Sequence, residues 1–405
     1  MVGLAILIFF CPVLFPHGWV RGGEAWSYTK TLKHSRSWDA VKSQKKWEHR
    51  HIYKRSDRRV SVSKIGTVRL KKSSFFNFRP FQFSTPVIAD SMLYIGVDAG
   101  VFYGIDALKT KKKWTYRTQG PVQAPAGVDG DAVYFGDAKG NVYALETSSG
   151  KEIWKTSLDS PILAAPLIRG DRIYFVTDNG RLFAIDKNAG GEIWHTDSVE
   201  KAIGFSVKRA SSPVFTNGLI MFGTSTGTLL AYRENGTLAW VKQLGDRQAL
   251  ISDLDSRPII EGGRIYVATA DRKVFCIDQN NGNIIWSTSD AGGSNDLFLS
   301  EDKLYATGGG VLTSIEASSG NIIWEEDFET PEISSPAVSK DIVAVVSTRD
   351  KVYLVDDKTG DIIFERYVRR GSFGDPVFVN NRLYLISNTG RIFSFLVREK
   401  QLKKS

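Results

Sequence analysis

Cysteine is nearly absent from the 405 residues, which hold only Cys11 and Cys276. A disulfide framework needs spaced pairs, so none is implied, and the cysteines neither require nor exclude an oxidising compartment. Histidine is also scarce. Four of the five (His17, His34, His49, His51) precede the regular part of the chain, and His195 stands alone after Trp194. That pattern offers no cluster with metal-ligand spacing and no nucleophile beside a base. A lone histidine after a tryptophan reads as a strand-end residue, not a catalyst. Long apolar runs are missing as well. Residues 2–16 are apolar but interrupted by Pro12, and they fall short of the roughly 20 residues a membrane-spanning helix needs.

Acidic residues are lacking in one region, and this explains the formal net charge of +9. Residues 30–72 hold 15 Lys or Arg against Asp39, Glu48 and Asp57. Residues 73–405 carry 37 basic and 40 acidic side chains, so the bulk of the chain is slightly acidic. Basic residues interleaved with Trp38 and Trp47 suit an anionic membrane surface. A like-charge block is more simply a solvated arm, and no nucleic-acid partner is expected.

The apolar start resembles the core of an export signal. Gly23-Glu24-Ala25 offers a small-x-small processing site before Trp26. Lipidation at Cys11 is the competing reading, although Phe9 and Phe10 stand where small residues would be needed. The bland alternative makes Cys11 one more apolar residue. Residues 1–25 are therefore expected to be an export segment, 26–63 a basic flexible arm, and 399–405 a polar tail.

What the chain has in abundance is one repeated unit. Residues 141–154 read NVYALETSSGKEIW, and the pattern returns at 181–194, 273–286, 311–324 and 351–364, the last with Phe364 in place of Trp. An eroded copy ends at Trp114, and Trp240 closes a further unit. A second marker, a small or polar residue followed by Pro, occurs at Pro86, Pro125, Pro166, Pro213, Pro258, Pro336 and Pro376. Asn295-Asp296-Leu297 fills the slot between Pro258 and Pro336 without proline. Eight markers about 40 residues apart, each heading about four short strands, predict an all-β, eight-bladed β-propeller over residues 64–398. The eighth unit lacks a Trp strand, while residues 65–70 form an orphan strand before the first. Borrowing that strand would close the ring and remove open edges.

Most of the repeated residues have structural work. Gly150, Gly282, Gly320 and Gly360 sit where a hairpin needs positive φ. The acids before each turn (Glu146, Asp186, Asp278, Glu316, Asp356) can accept from nearby backbone N–H groups. Trp114, Trp154, Trp194, Trp240, Trp286 and Trp324 bring large apolar area to pack between blades. A row of identical features in nearly every blade argues against an active site, which is built once.

These units resemble the pyrroloquinoline-quinone-type propeller repeat. Quinoprotein dehydrogenases share it, but they carry an adjacent cysteine pair and a calcium site, and no Cys-Cys pair exists here. A quinone- or small-ligand-binding propeller, dehydrogenase or sensor, is the alternative reading. The stretch 250–258, with Asp253, Asp255 and Pro258, resembles the L-S-D-x-D-x-x-P segment of the BamB family, and the proline-free Asn295-Asp296-Leu297 marker resembles that family's V-N-D-F. The resemblance implies a non-enzymatic scaffold without cofactor or metal. It places the protein at the periplasmic face of the outer membrane, within the β-barrel assembly machinery. There the family binds a POTRA domain of the barrel-insertion protein through two loops. The first corresponds to Phe205, Val207, Lys208 and Arg209, the second to Asp253 and Asp255. Nascent outer-membrane proteins pairing with blade edges, and membrane contact through the arm or a lipid anchor, complete the expected partners.

Overall fold

The computed structural model describes residues 59–70, 84–158, 160–197, 211–246, 253–289, 291, 296–368 and 370–400. The Cys11, Trp38 and 205–209 expectations lie outside the described residues. Thirty-two strands form eight separate four-stranded sheets. Seven of these are simple antiparallel meanders: blade 1 spans residues 87–117, and blades 2 to 7 span 127–157, 167–195, 214–243, 259–289, 298–327 and 337–367. Blade 8 takes three strands from residues 377–400 and its outer strand, Arg59–Arg69, from the start of the propeller. The fold is an eight-bladed β-propeller closed by an N-terminal strand.

The inner strand of every blade has three residues, as in Val87–Ala89 and Leu167–Arg169. The two middle strands are almost wholly buried, as in Ala132–Gly136 and Asn141–Glu146. Their continuous apolar runs follow from having a neighbouring blade on each face. Opposite each hairpin Trp stands a small residue (Gly104, Ala144, Ala184, Ala231, Cys276, Ser314), followed by a register shift. The small partner leaves room for the indole ring: a Cβ on Gly104 would lie 2.2 Å from Trp114.

The hairpin residues act across the seams. Gly150 has φ +71°, and a Cβ there would lie 2.4 Å from the Trp114 ring of the preceding blade. The same seat recurs for Gly190 under Trp154, Gly320 under Trp286 and Gly360 under Trp324. Each of these indoles donates to a turn carbonyl of the next blade, such as Trp154 Nε1 to Lys187 O at 2.9 Å. Asp186, Asp278 and Asp356 accept backbone N–H bonds within their own turns. Blade 4 departs from the scheme. Its hairpin from Arg233 to Trp240 is one residue shorter than the others. Among the described residues Trp194 Nε1 and Trp240 Nε1 find no partner, and nothing lies within 4 Å of a Cβ on Gly282. Arg172 takes the place of Trp194, donating to Glu234 O at 3.0 Å.

The closing strand is longer than residues 65–70. It begins at Arg59, pairs with Arg391–Lys400, and bulges at Ile65 between Lys64 and Gly66. Val60 and Val62 pack on a core that includes Phe395 and Val397. At this seam the size relation is inverted, for Gly66 stands in the Trp position and Thr110 in the Gly position.

One seam contains an acidic contact. Glu326 lies two residues after Trp324, the place where Thr156 and Thr288 donate to the next blade's turn carbonyl. Burial, then the nearby Asp361 and Asp327, push the Glu326 carboxyl from 4.5 up to about 7. The folded state therefore binds this proton more tightly than the unfolded one. The resulting stabilisation is complete below pH 4.5 and is lost as pH rises through about 7. Glu326→Gln should flatten the melting profile across that window. At pH 8 it should be more stable than the parent by about 1–2 kcal/mol, allowing for partial exposure.

Candidate functional site

Two places break the repeat. The first is the segment before blade 5, Asp253 to Arg257. Leu254 is fully buried, and its N–H donates to Thr224 O at 3.0 Å. Its side chain occupies the space beside Gly223, where a Cβ would lie 1.9 Å away. Val122 fills the same role over Gly96, and Ile162 over Gly136. Leu254 is thus a plug that ties blade 4 to the start of blade 5.

The carboxylates flank this plug. Asp253 O accepts from Ala270 N at 2.8 Å. Ser256 Oγ donates to Ala268 O at 2.8 Å, and Ser256 O accepts from Ser211 Oγ at 2.9 Å. The backbone is held on both sides of Asp255, which lowers the ordering cost of any contact it makes. Asp253 is only 4% exposed, whereas Asp255 is half-buried. Neither carboxylate is free of interactions. The pair is thus one buried acid, Asp253, and one half-buried acid, Asp255. Prolines 121 and 161 precede the equivalent plugs Val122 and Ile162, and a plug with acids on both sides occurs here alone among these three.

The second place is the central channel. A cavity of about 710 Å³ opens between the inner strands of blades 3 to 8, lined by Phe215, Ile260, Leu299, Val338 and Phe378. Its mouth carries the residues preceding the marker prolines. These form a hydrogen-bonded belt from blade to blade: Arg257 N to Asp296 Oδ1 at 2.6 Å, Asp296 N to Ser335 Oγ at 3.2 Å, and Ser335 N to Asp375 Oδ1 at 2.9 Å. Across the closure seam Thr85 Oγ1 donates to Asp375 Oδ2 at 2.9 Å and accepts from Asp375 N at 3.2 Å. At Thr85, Asp296, Ser335 and Asp375 the marker's polar residue is therefore a blade-to-blade acceptor. The recurrence is visible in sequence but the role is not, because the bonds join residues about 40 positions apart and, at the closure, 290 apart. Asp296 fills the slot without proline because its carboxylate does the same work.

Chemically, the channel mouth uses its acids to hold backbone donors. Among the described residues no three metal-binding side chains converge. His195 lies at the end of the blade 3 outer strand, where Nδ1 contacts Glu192 Oε1 at 2.6 Å on the exposed rim. Cys276 is buried opposite Trp286.

The sequence profile described as outer membrane protein assembly factor BamB matches residues 119–311 and 308–399. BamB of Legionella pneumophila (strain Paris) is 27% identical over 195 residues, covering 46% of this chain and 50% of that protein. The chain spans about half the length of the curated relatives it matches. The crystal structure of BamB from Moraxella catarrhalis superimposes with a TM-score of 0.71 at 19% identity, over 83% of this chain and 100% of that one. The quinohemoprotein alcohol dehydrogenase of Comamonas testosteroni gives 0.66 at 13% identity, over 83% and 76%. At such identities both structural likenesses speak to the fold alone.

Proposed function

The chain belongs to the family of the outer membrane protein assembly factor BamB, and from that premise we propose that it is a non-enzymatic scaffold of outer-membrane β-barrel assembly. It works at the periplasmic face of the outer membrane and docks a POTRA domain of the barrel-insertion protein. The supporting observation is the clamped segment around Leu254, beside which Asp255 is the more exposed of the two acids. A fixed carboxylate beside buried apolar side chains suits a partner with a cationic hot-spot residue. The blade rims add a second means of engagement. Outer strands end each sheet with an unpaired edge, and Ile153, Ile285 and Ile323 on them are 46–47% exposed. Nascent barrel strands can pair there by β-augmentation.

Reversing Asp255 tests the docking role. Asp255→Lys should abolish co-purification of the barrel-insertion protein from envelope extracts, and Asp255→Asn, which keeps the size of this half-buried side chain, should weaken it at an unchanged melting midpoint. An unchanged pull-down would remove Asp255 from the interface. Asp253→Lys is a different experiment, because the new ammonium would be buried and the propeller itself destabilised.

A further inference from the structure

We propose that the outer rim where blade 8 meets blade 1 is a docking surface for an anionic lipid bilayer. This rests on the propeller's own side chains, independently of the partner assigned above. The outer strand of blade 1, Lys111–Arg117, exposes Lys111, Lys112, Lys113 and Arg117, and Lys109 is exposed in the turn before it. The closing strand beside it exposes Lys64 and Arg69. Neither strand contains an acidic residue. Lys113 contacts Asp106 at 3.9 Å with half of its side chain exposed, a pairing worth little in water. Lys64 and Lys112 stand over the rings of Phe393 and Tyr103, at 5.8 and 5.0 Å.

Two aliphatic side chains sit among these cations. Leu108 is 52% exposed in the blade 1 turn, and Ile65 is 40% exposed at the bulge of the closing strand. Gly66 abuts Thr110, with 2.3 Å left for a Cβ, so the bulge and the turn meet at this seam. Aliphatic tips ringed by ammonium groups match a bilayer interface. The tips enter the acyl boundary while the cations meet headgroup phosphates.

Lysines on edge strands also discourage unwanted strand pairing. That purpose would apply to every blade, yet the outer strands of blades 5 and 6 contain no lysine, and blade 6 has Glu325, Glu326 and Asp327 there. The cations are segregated, not distributed. An acidic protein would account for the lysines but leaves Leu108, 52% exposed, without a role. The sequence leading into the closing strand is itself basic, with ten Lys or Arg against three acids over residues 30–58.

Co-sedimentation of the full chain with vesicles tests the assignment. Binding is expected to phosphatidylethanolamine–phosphatidylglycerol vesicles and not to phosphatidylcholine, and it should weaken strongly at about 0.5 M salt. Lys109→Ala with Lys111→Ala should lower apparent affinity at least tenfold, at about fivefold per cation. Leu108→Ser should lower it severalfold with no change in charge. Lys64→Ala with Arg69→Ala reads the same surface from the closing strand. All these side chains are exposed, so melting midpoints provide the folding control. Affinity unchanged in both cation pairs would overturn the proposal and leave vesicle binding to the rest of the chain. Loss on lysine removal alone, with Leu108→Ser unaffected and soluble polyglutamate competing, would overturn it in favour of an acidic protein.

Discussion

Removal of residues 1–70 is expected to lower the melting midpoint by about 10 °C and to make the protein self-associate more strongly than the parent. The truncation deletes the closing strand and its ten paired positions with the last strand. Val68 and Leu70, at 6% and 3% exposure, lose their burial, as do the flanking contacts of Val60 and Val62. At roughly 1.5–3 kcal/mol for each fully buried aliphatic the two core residues alone account for about 3–6 kcal/mol. At about 2 °C per kcal/mol for a domain of this size, that gives the stated shift. The bared edge of Arg391–Lys400 then becomes a template for another chain. Differential scanning calorimetry and light scattering read the two effects, and a synthetic peptide of residues 59–70 added in trans should reverse both. A truncated chain that melts normally and self-associates no more than the parent would mean that closure lies elsewhere, for instance in the Thr85–Asp375 bonds.

The second large effect is expected at Asp137, fully buried in blade 2. Its carboxylate accepts from Gly120 N, Lys139 N, Asn141 N, Asn141 Nδ2 and Tyr143 OH, at 2.7–3.1 Å. Burial foremost, with the Asp137 carboxylate adding to it, pushes the Tyr143 phenol up. With every oxygen supplied with donors, the network tolerates burial that an unpaired acid would not. Asp137→Ala removes the acceptor common to all these donors and should cost about 3–5 kcal/mol in urea unfolding. Asp137→Asn keeps the size and part of the acceptor capacity, so its loss should be smaller. A loss below about 1 kcal/mol for the alanine variant would mean that water replaces the carboxylate freely.

Features confined to one hairpin are readable in the sequence. The glycine and tryptophan of a unit lie within 14 residues of each other, and local turn chemistry dictates both. The blade count follows for the same reason, since a marker that repeats eight times needs no knowledge of contacts. The start of the closing strand is harder to read. Val60 and Val62 alternate with serines as a half-buried strand should, but Arg58 and Arg59 beside them look like more of the arm. The burial of Asp253 is also illegible in sequence. It follows from Leu254 entering the space beside Gly223, 31 residues upstream, and a one-dimensional pattern does not contain that distance. The proton affinity of Glu326 likewise arises only when blades 6 and 7 face each other. The apolar and basic residues at 205–209 lie outside the described residues, so the first docking loop remains an expectation drawn from resemblance.

The inverted pair at the closure seam has a consequence for how such a ring can change over evolutionary time. Five seams seat an aromatic ring over a turn glycine, Gly236 under Trp194 being the fifth, while Gly66 and Thr110 reverse the two sizes where the chain ends meet. A duplicated blade inserted at a regular seam presents a ring and a glycine that fit its new neighbours. The same blade inserted at the closure would set its indole against Thr110 and its glycine beneath Gly66, a clash on one side and a void on the other. The ring thus carries a marked position. Blades at the regular seams are interchangeable parts, whereas the clasp accepts only the pair it has.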